Sequence, residues 1–276
     1  KILSLNLRNA IFVDNTASEL VANTYADYLS KSISVVTCNK IACAAAYPNY
    51  KRLKDLSRTY NASFLFETNV GAGLPIIDTL KNLVASGDEI KEIQAVLSGS
   101  LNFVFNHFND QTTFHDVVKQ AQEEGYTEPD PTIDLSGIDV MRKILILARE
   151  SGHVMEINDI ENNSFLPSES LETSSNEAFF DSLIKYESDF QTMYQKAYAK
   201  GAKLKYVASF KDGKASVGLQ EIPQGHDFYA LEGSDNIVLF YTERYPNQPM
   251  IIKGAGAGAA VTASGIFADI IRVGNF

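Results

Sequence analysis

The first sixty or so residues alternate short apolar runs with longer mixed stretches, and this alternation constrains the fold more than any other feature. Ala10–Val13 is apolar and ends at Asp14-Asn15-Thr16-Ala17-Ser18, a cluster of residue types that cap helices. An amphipathic stretch follows, with Leu20, Val21, Tyr25 and Leu29 expected on one side. Ile33–Thr37 reads as a second strand ending at Cys38-Asn39-Lys40, Tyr47–Tyr60 as a polar helix, and Phe64–Phe66 as a third strand. Strand, helix, strand, helix, strand in so few residues requires a parallel sheet with right-handed crossovers.

The pattern then changes. Leu74–Val84 reads as a helix and Ile90–Leu97 as a strand. Helices are expected over Leu101–Phe108, Phe114–Glu124 and Ile138–Glu150, and one long amphipathic segment from Asn176 to Lys200. Lys203–Phe210 and Ala215–Ile222 alternate in the manner of strands, and the Asp212-Gly213 between them is a hairpin signal. Ile237–Tyr241 and Met250–Lys253 add further strand. An α/β start thus gives way to an α+β second half.

The 276 residues suffice for one large domain or two ordinary ones, and 45% hydrophobic residues supply a core. A net charge of −10 argues against binding a phosphate backbone, so no nucleic-acid partner is expected; a small anion could still be held locally. Cys38 and Cys43 are too few for a disulfide framework and wrongly spaced for zinc, which fits a reducing compartment. No apolar run approaches the roughly 20 residues of a membrane span. Lys1-Ile2-Leu3-Ser4 does not read as a signal peptide, so the expected location is the cytoplasm.

Several segments could carry chemistry. Asn15, Thr16 and Lys40 follow strands of the parallel sheet, whose carboxyl ends are where such sheets bind ligands; helix capping and a solvated lysine are the plainer alternatives. Glu67-Thr68-Asn69-Val70-Gly71-Ala72-Gly73-Leu74 joins a carboxylate to a glycine-rich turn, which could hold a hard cation but reads more simply as a turn. Ser98-Gly99-Ser100 either presents amides to an anion or caps a helix. Gly125–Lys143 is the densest stretch. Pro129 and Pro131 stiffen a loop carrying Glu128, Asp130 and Asp134, and massed acids call for a cation such as an ammonium-bearing substrate. Asp139 and Lys143 are four apart and share a helix face. On a helical wheel they join Arg142, Arg149 and Glu150 in a polar stripe, which favours an exposed ion pair. The adjacent acids favour a lysine poised for acid/base work. The four histidines are scattered and form no catalytic or zinc pattern.

Lys253–Arg272 contains Gly254, Gly256 and Ala259 at the spacing of a dinucleotide fingerprint, but too few residues follow for the βαβ unit that such a fingerprint opens. A tight strand-to-helix connection is the better reading. Conversely, no glycine-rich turn follows Ala10–Val13, so a dinucleotide fold would here lack its phosphate loop.

Together, "FVDNTAS", "VVTCNKIA", "ETNVGAGLPII", "LSGSLNFVFN", "GYTEPDP…DLSGIDVMRKILILARE" and "KGAGAGAAVTASGIFADII" resemble homoserine dehydrogenase, most closely the dehydrogenase portion of bifunctional aspartokinase–homoserine dehydrogenases. The resemblance implies a partial Rossmann-like, dinucleotide-binding domain over residues 1–73 whose N-terminal part is missing, and a substrate-binding and dimerisation domain with a mixed-to-antiparallel sheet over 74–253. A C-terminal segment, 254–276, would return to the cofactor domain. It implies NAD(P)H-dependent reduction of L-aspartate 4-semialdehyde to L-homoserine, on the way to threonine and methionine, by a homodimer to which an aspartokinase domain could be fused. Lys143 would be the catalytic lysine, Asp139 its partner and Lys40 a second lysine near substrate and nicotinamide. Gly99, Ser100, Tyr126, Glu128 and Asp134 would bind substrate; Asn15, Thr16, Lys40 and Gly256 would contact the cofactor, NADP or NAD. Glu67 with the carbonyls of Val70, Ala72 and Leu74 would form a site for a monovalent cation such as sodium. Two readings compete: a catalytically silent amino-acid-binding or dimerising module, and another NAD(P)-linked enzyme on a similar plan.

Overall fold

The computed structural model describes Ser4 and residues 9–275. The chain divides into two compact units. One comprises residues up to Glu89, Leu145–Asp159 and the chain from Ala255; the other comprises Ile90–Ile144 and Ile160–Gly254.

In the first unit, β1 (Ile11–Asp14), β2 (Ser34–Thr37) and β3 (Phe64–Leu65) form a parallel sheet in that order. Val13 lies opposite Val36, and Val36 opposite Leu65. All four residues of β2 are buried, as the central strand of a parallel sheet must be. The crossover helices are Tyr25–Leu29, after β1, and Tyr47–Thr59, after β2. The stretch expected to form one amphipathic helix is instead two short ones, Glu19–Ala22 and Tyr25–Leu29. Tyr25 and Leu29 are fully buried, but Leu20 is 83% exposed, because the break at Asn23-Thr24 resets the helical phase. Helix Ile76–Ala85 and the C-terminal helix Ala259–Gly274 complete the unit. Gly265 of the latter packs so closely that a β-carbon there would lie 2.6 Å from Thr68 Cγ2 and 3.1 Å from Gly73 Cα.

The second unit is built on a mixed sheet of β4 (Ile90–Val96), β5 (Ile160–Asn163), β6 (Lys203–Lys211), β7 (Lys214–Ile222), β8 (Asp235–Thr242) and β9 (Met250–Ala255), in the order β5-β7-β6-β4-β8-β9. The β6–β7 hairpin turns at Asp212-Gly213, both at positive φ. Strand β5, parallel to β7, has no counterpart in the hydrophobic pattern, since only Ile160 of its four residues is buried. The single segment expected over 176–200 is two helices, Asn176–Lys185 and Glu187–Ala199. Between them Tyr186 leaves helical geometry, and Glu187 accepts the Phe114 N–H at 2.8 Å, capping the helix Phe114–Glu123. Among the described residues no helix is long and apolar enough to cross a membrane.

Candidate active site

In the first unit, the parallel sheet brings the ends of β1 and β2 side by side. Asp14, the last residue of β1, is buried and gathers both loops. Its carboxylate accepts the Thr16 N–H at 2.8 Å, the Tyr25 hydroxyl at 2.5 Å and Asn39 Nδ2 at 3.1 Å, while Asn39 also donates to the Ser18 carbonyl. Burial alone would raise the Asp14 pKa, but the hydrogen bonds from Tyr25, Thr16 and Asn39 outweigh it and hold the carboxyl below its usual value. The same burial, with Asp14 beside it, drives the Tyr25 phenol far up. The network fixes Asn15 and Thr16, both exposed, and Lys40, half-buried, at one carboxyl edge of the sheet. Neither Asn15 nor Thr16 caps the following helix; Ser18 does. Burial raises the Cys38 thiol, against the opposing charge of Lys40. An amide, a hydroxyl and an ammonium at the carboxyl ends of adjacent parallel strands form a donor set that fits the polar parts of a dinucleotide. Gly256 is buried just ahead of the helix that Gly258 opens at φ +114, a backbone state that favours glycine.

Glu67 is 6% exposed, and its two oxygens accept the N–H groups of Ile77 and Asp78 at 2.7 and 2.8 Å, at the start of helix Ile76–Ala85. Burial lifts this carboxyl to about 7, although the two amides pull the other way. The Leu74 carbonyl accepts the Ile76 N–H. The turn that the sequence offered as a cation site is therefore also a helix cap, a role the spacing did not disclose.

In the second unit, Ser98 caps helix Gly99–His107, accepting the Leu101 N–H at 3.1 Å. Ser100, on its first turn, places its hydroxyl 2.6 Å from the Tyr126 carbonyl oxygen and 2.8 Å from Asp134 Oδ1. Asp134 Oδ2 accepts the Glu128 N–H at 2.8 Å. The acid-rich loop is thus knotted onto the helix that bears Gly99 and Ser100. It contains a short helix, Pro131–Leu135, capped by Asp130. The massed acids are partly met by neighbours: Asp130 accepts the Thr132 N–H within the loop, Asp134 accepts from Ser100 and the Glu128 N–H, and Glu128 is the exposed carboxylate that remains. The Tyr126 ring stacks on Phe103 with centroids 4.1 Å apart.

Gly137, at φ +78, makes the sharp entry into helix Ile138–Glu150; a β-carbon there would lie 2.0 Å from the Tyr206 hydroxyl. From this helix Lys143 points inward. Its Nζ donates to the Leu97 carbonyl at 2.7 Å and lies 2.8 Å from Asp139 Oδ2, and its side chain is 12% exposed. Of the polar stripe on the helical wheel, Arg142 is exposed and Asp139 half-exposed, but Lys143 is not solvated. Arg149 and Glu150, which the wheel grouped with Lys143, are buried in the first unit, where the Arg149 guanidinium donates to the carbonyls of Cys43, Ala45 and Met155. Glu150 accepts the Tyr50 hydroxyl and pairs with Lys54 at 2.9 Å. A helical wheel cannot separate water from a polar partner on another element.

Sequence reasoning also missed Lys205. It is 0% exposed, and its Nζ is held by Asn102 Oδ1, Asn106 Oδ1 and the Leu231 carbonyl. Burial lowers it to about 8. Alternation along β6 groups it with Lys203, Ser209 and Lys211, opposite the apolar Leu204, Tyr206, Ala208 and Phe210, so the pattern carried no signal; it is buried because helix Gly99–His107, which bears Asn102 and Asn106, covers that face.

A dinucleotide-type α/β unit and an α+β unit with an inward-facing lysine paired to an aspartate, in one chain, define a two-domain dehydrogenase architecture. Residues 75–271 match the family model for homoserine dehydrogenase, and residues 1–67 match that for the homoserine dehydrogenase NAD binding domain. The chain belongs to the homoserine dehydrogenase family. It is 42% identical over 273 residues to the homoserine dehydrogenase of Schizosaccharomyces pombe, covering 96% of this chain and 72% of that one. It is 43% identical over 270 residues to a chloroplastic bifunctional aspartokinase/homoserine dehydrogenase of Zea mays, covering 97% of this chain but 29% of the relative. The chain thus spans about three tenths of the length of the bifunctional relative. Among solved structures, a Candida auris protein of unknown function superposes with a TM-score of 0.91 at 40% identity, over 96% of this chain and 76% of that one. A hyperthermophilic archaeal homoserine dehydrogenase in complex with NADPH gives 0.75 at 29% identity, over 96% and 71%.

Proposed function

We propose that this chain interconverts L-aspartate 4-semialdehyde and L-homoserine with NADP or NAD, in the biosynthesis of threonine and methionine. The observation that carries the reading is the inward-facing Lys143, fixed between the Leu97 carbonyl and Asp139. When bound, the nicotinamide exchanges a hydride with the reacting carbon. The chain's own task is to hold the substrate and manage one proton. In the reducing direction, negative charge builds on the aldehyde oxygen, and the Lys143 ammonium stabilises it and gives up the proton. Asp139 keeps the ammonium aimed; in the first unit, Lys40 would add positive charge beside the nicotinamide. The exposed carboxylate of Glu128 takes the substrate ammonium, on a loop that Asp134, Ser100 and the Tyr126 carbonyl hold in shape. Gly99, at the start of the same helix, packs against Ser234, whose carbonyl oxygen would lie 3.1 Å from a β-carbon there, and would offer its backbone to the substrate.

In this reading residues 1–73 and 254–276 serve the cofactor, through Asn15, Thr16, Lys40 and Gly256, and 74–253 serve substrate and dimerisation. A monovalent cation would sit beside Glu67, using the second lone pairs of its oxygens and the carbonyls of Val70, Ala72 and Leu74. The protein would act as a homodimer in the cytoplasm, with an aspartokinase domain where the gene encodes one. No observation favours a silent module. The test is oxidation of homoserine by the purified protein, followed by nicotinamide absorbance with each cofactor. Turnover that is absent in the full-length gene product, or equal with other hydroxy acids, sinks the proposal.

A further inference from the structure

The Leu97 carbonyl that receives Lys143 has a second donor. Asn236, the second residue of β8, is 1% exposed, and its Nδ2 donates to the same oxygen at 3.4 Å. The register explains the meeting: Val96 pairs with Ile237, so Leu97 and Asn236 are the next residues outward on β4 and β8. The other half of this carboxamide is anomalous. Among the described residues, Asn236 Oδ1 is the buried side-chain oxygen that meets no protein donor. A half-satisfied buried amide is costly, and a leucine of similar volume would fill the space without that cost. Packing therefore does not account for the residue.

We propose that Asn236 is a positioning residue for Lys143, a role that rests on the acid/base reading of that lysine. Its N–H braces the Leu97 carbonyl from the β8 side, so the acceptor that aims the ammonium does not swing. The carboxamide is a neutral dipole beside the oxygen that receives the ammonium. The two nitrogens share one acceptor, so they lie no more than about 6 Å apart, within the range where a neighbouring charge moves a pKa. A carboxamide braces the carbonyl without adding a second negative charge to Asp139, which would hold the proton too tightly for transfer.

The test uses two near-isosteric substitutions and two readouts. With lysine labelled at Cε and the resonance assigned through Lys143→Arg, the titration of Lys143 is followed by NMR. Asn236→Asp, which places a full negative charge at that distance, is expected to raise its midpoint by on the order of one unit. In homoserine oxidation, Asn236→Leu is expected to cut kcat at least tenfold, roughly, with KM little changed, as loss of aim does. A purely structural role would move thermal stability and leave midpoint and kcat in place, and that result overturns the proposal. If Asn236→Asp does not fold, the leucine variant decides alone. A wild-type protein inactive on homoserine whose Lys143 still responds would remove the functional reading and leave the positioning role standing.

Discussion

Lys143 Nζ and Asp139 Oδ2 stand 2.8 Å apart across one turn of a helix, with the lysine side chain 12% exposed and the aspartate 40%. The pair is open on the carboxylate side, so it adds little stability, about 0.3–0.5 kcal/mol for an i,i+4 pair. Its value lies in aim. Lys143→Ala should lower kcat by roughly a hundredfold or more while KM changes little. Asp139→Asn should cost about tenfold in kcat with Tm nearly unchanged. Steady-state kinetics with calorimetry checks both; near-normal turnover in Lys143→Ala removes the assignment.

Glu128 is the acid of its loop left facing solvent, and its backbone, not its side chain, holds the loop to Asp134. Glu128→Gln should therefore raise the KM for homoserine about tenfold while leaving the fold intact. An unchanged KM would take the substrate ammonium away from this residue.

Glu67 titrates at about 7 in the fold, against 4.5 for an exposed glutamate. Between these values the folded protein keeps a proton that the unfolded chain has released. Stability therefore falls as pH rises from about 4.5 to about 7, by roughly 3 kcal/mol in all. Glu67→Gln should flatten this slope in urea midpoints measured across the window, with a remainder from Asp269, whose pKa burial also raises. A slope as steep in the variant as in the wild type would contradict the assignment.

Lys205 gives the opposite sign at alkaline pH. Its ammonium titrates at about 8 in the fold and near 10.5 when unfolded, so the unfolded chain holds the extra proton between them. The contribution of this residue to stability should rise with pH from about 8 to about 10.5, against the opposite contributions of buried Cys43, Tyr25, Tyr50 and Tyr206, whose pKa values burial raises. Lys205→Met should abolish that rise and, by stranding the oxygens of Asn102, Asn106 and Leu231, lower Tm at neutral pH.

Arg149 is a buried guanidinium whose donors all meet oxygens of its own unit. Arg149→Met should destabilise by about 3–5 kcal/mol, since the carbonyls of Cys43, Ala45 and Met155 would be left without donors. Chemical denaturation measures this directly, and a loss under about 1 kcal/mol would mean that water replaces the guanidinium.

The sequence by itself determined the three parallel strands of the first unit, the β6–β7 hairpin and the helix that carries Asp139 and Lys143. In each, apolar periodicity or turn chemistry acts over a few neighbouring residues, and local sterics suffice to express it. It did not determine β5, whose four residues are mostly polar and become a strand only because β7 offers an edge to pair with. Nor did it determine which polar residues face water. Leu20 and Arg149 exchanged their expected environments because a break in one helix and a ring of carbonyls from other segments are tertiary facts. Lys143, Leu97 and Asn236 come from a helix and the ends of two strands far apart in the chain, and their meeting at one carbonyl oxygen is decided by sheet register. Burial and hydrogen-bond partnership are set by what packs against a residue, and no pattern along the chain carries that information.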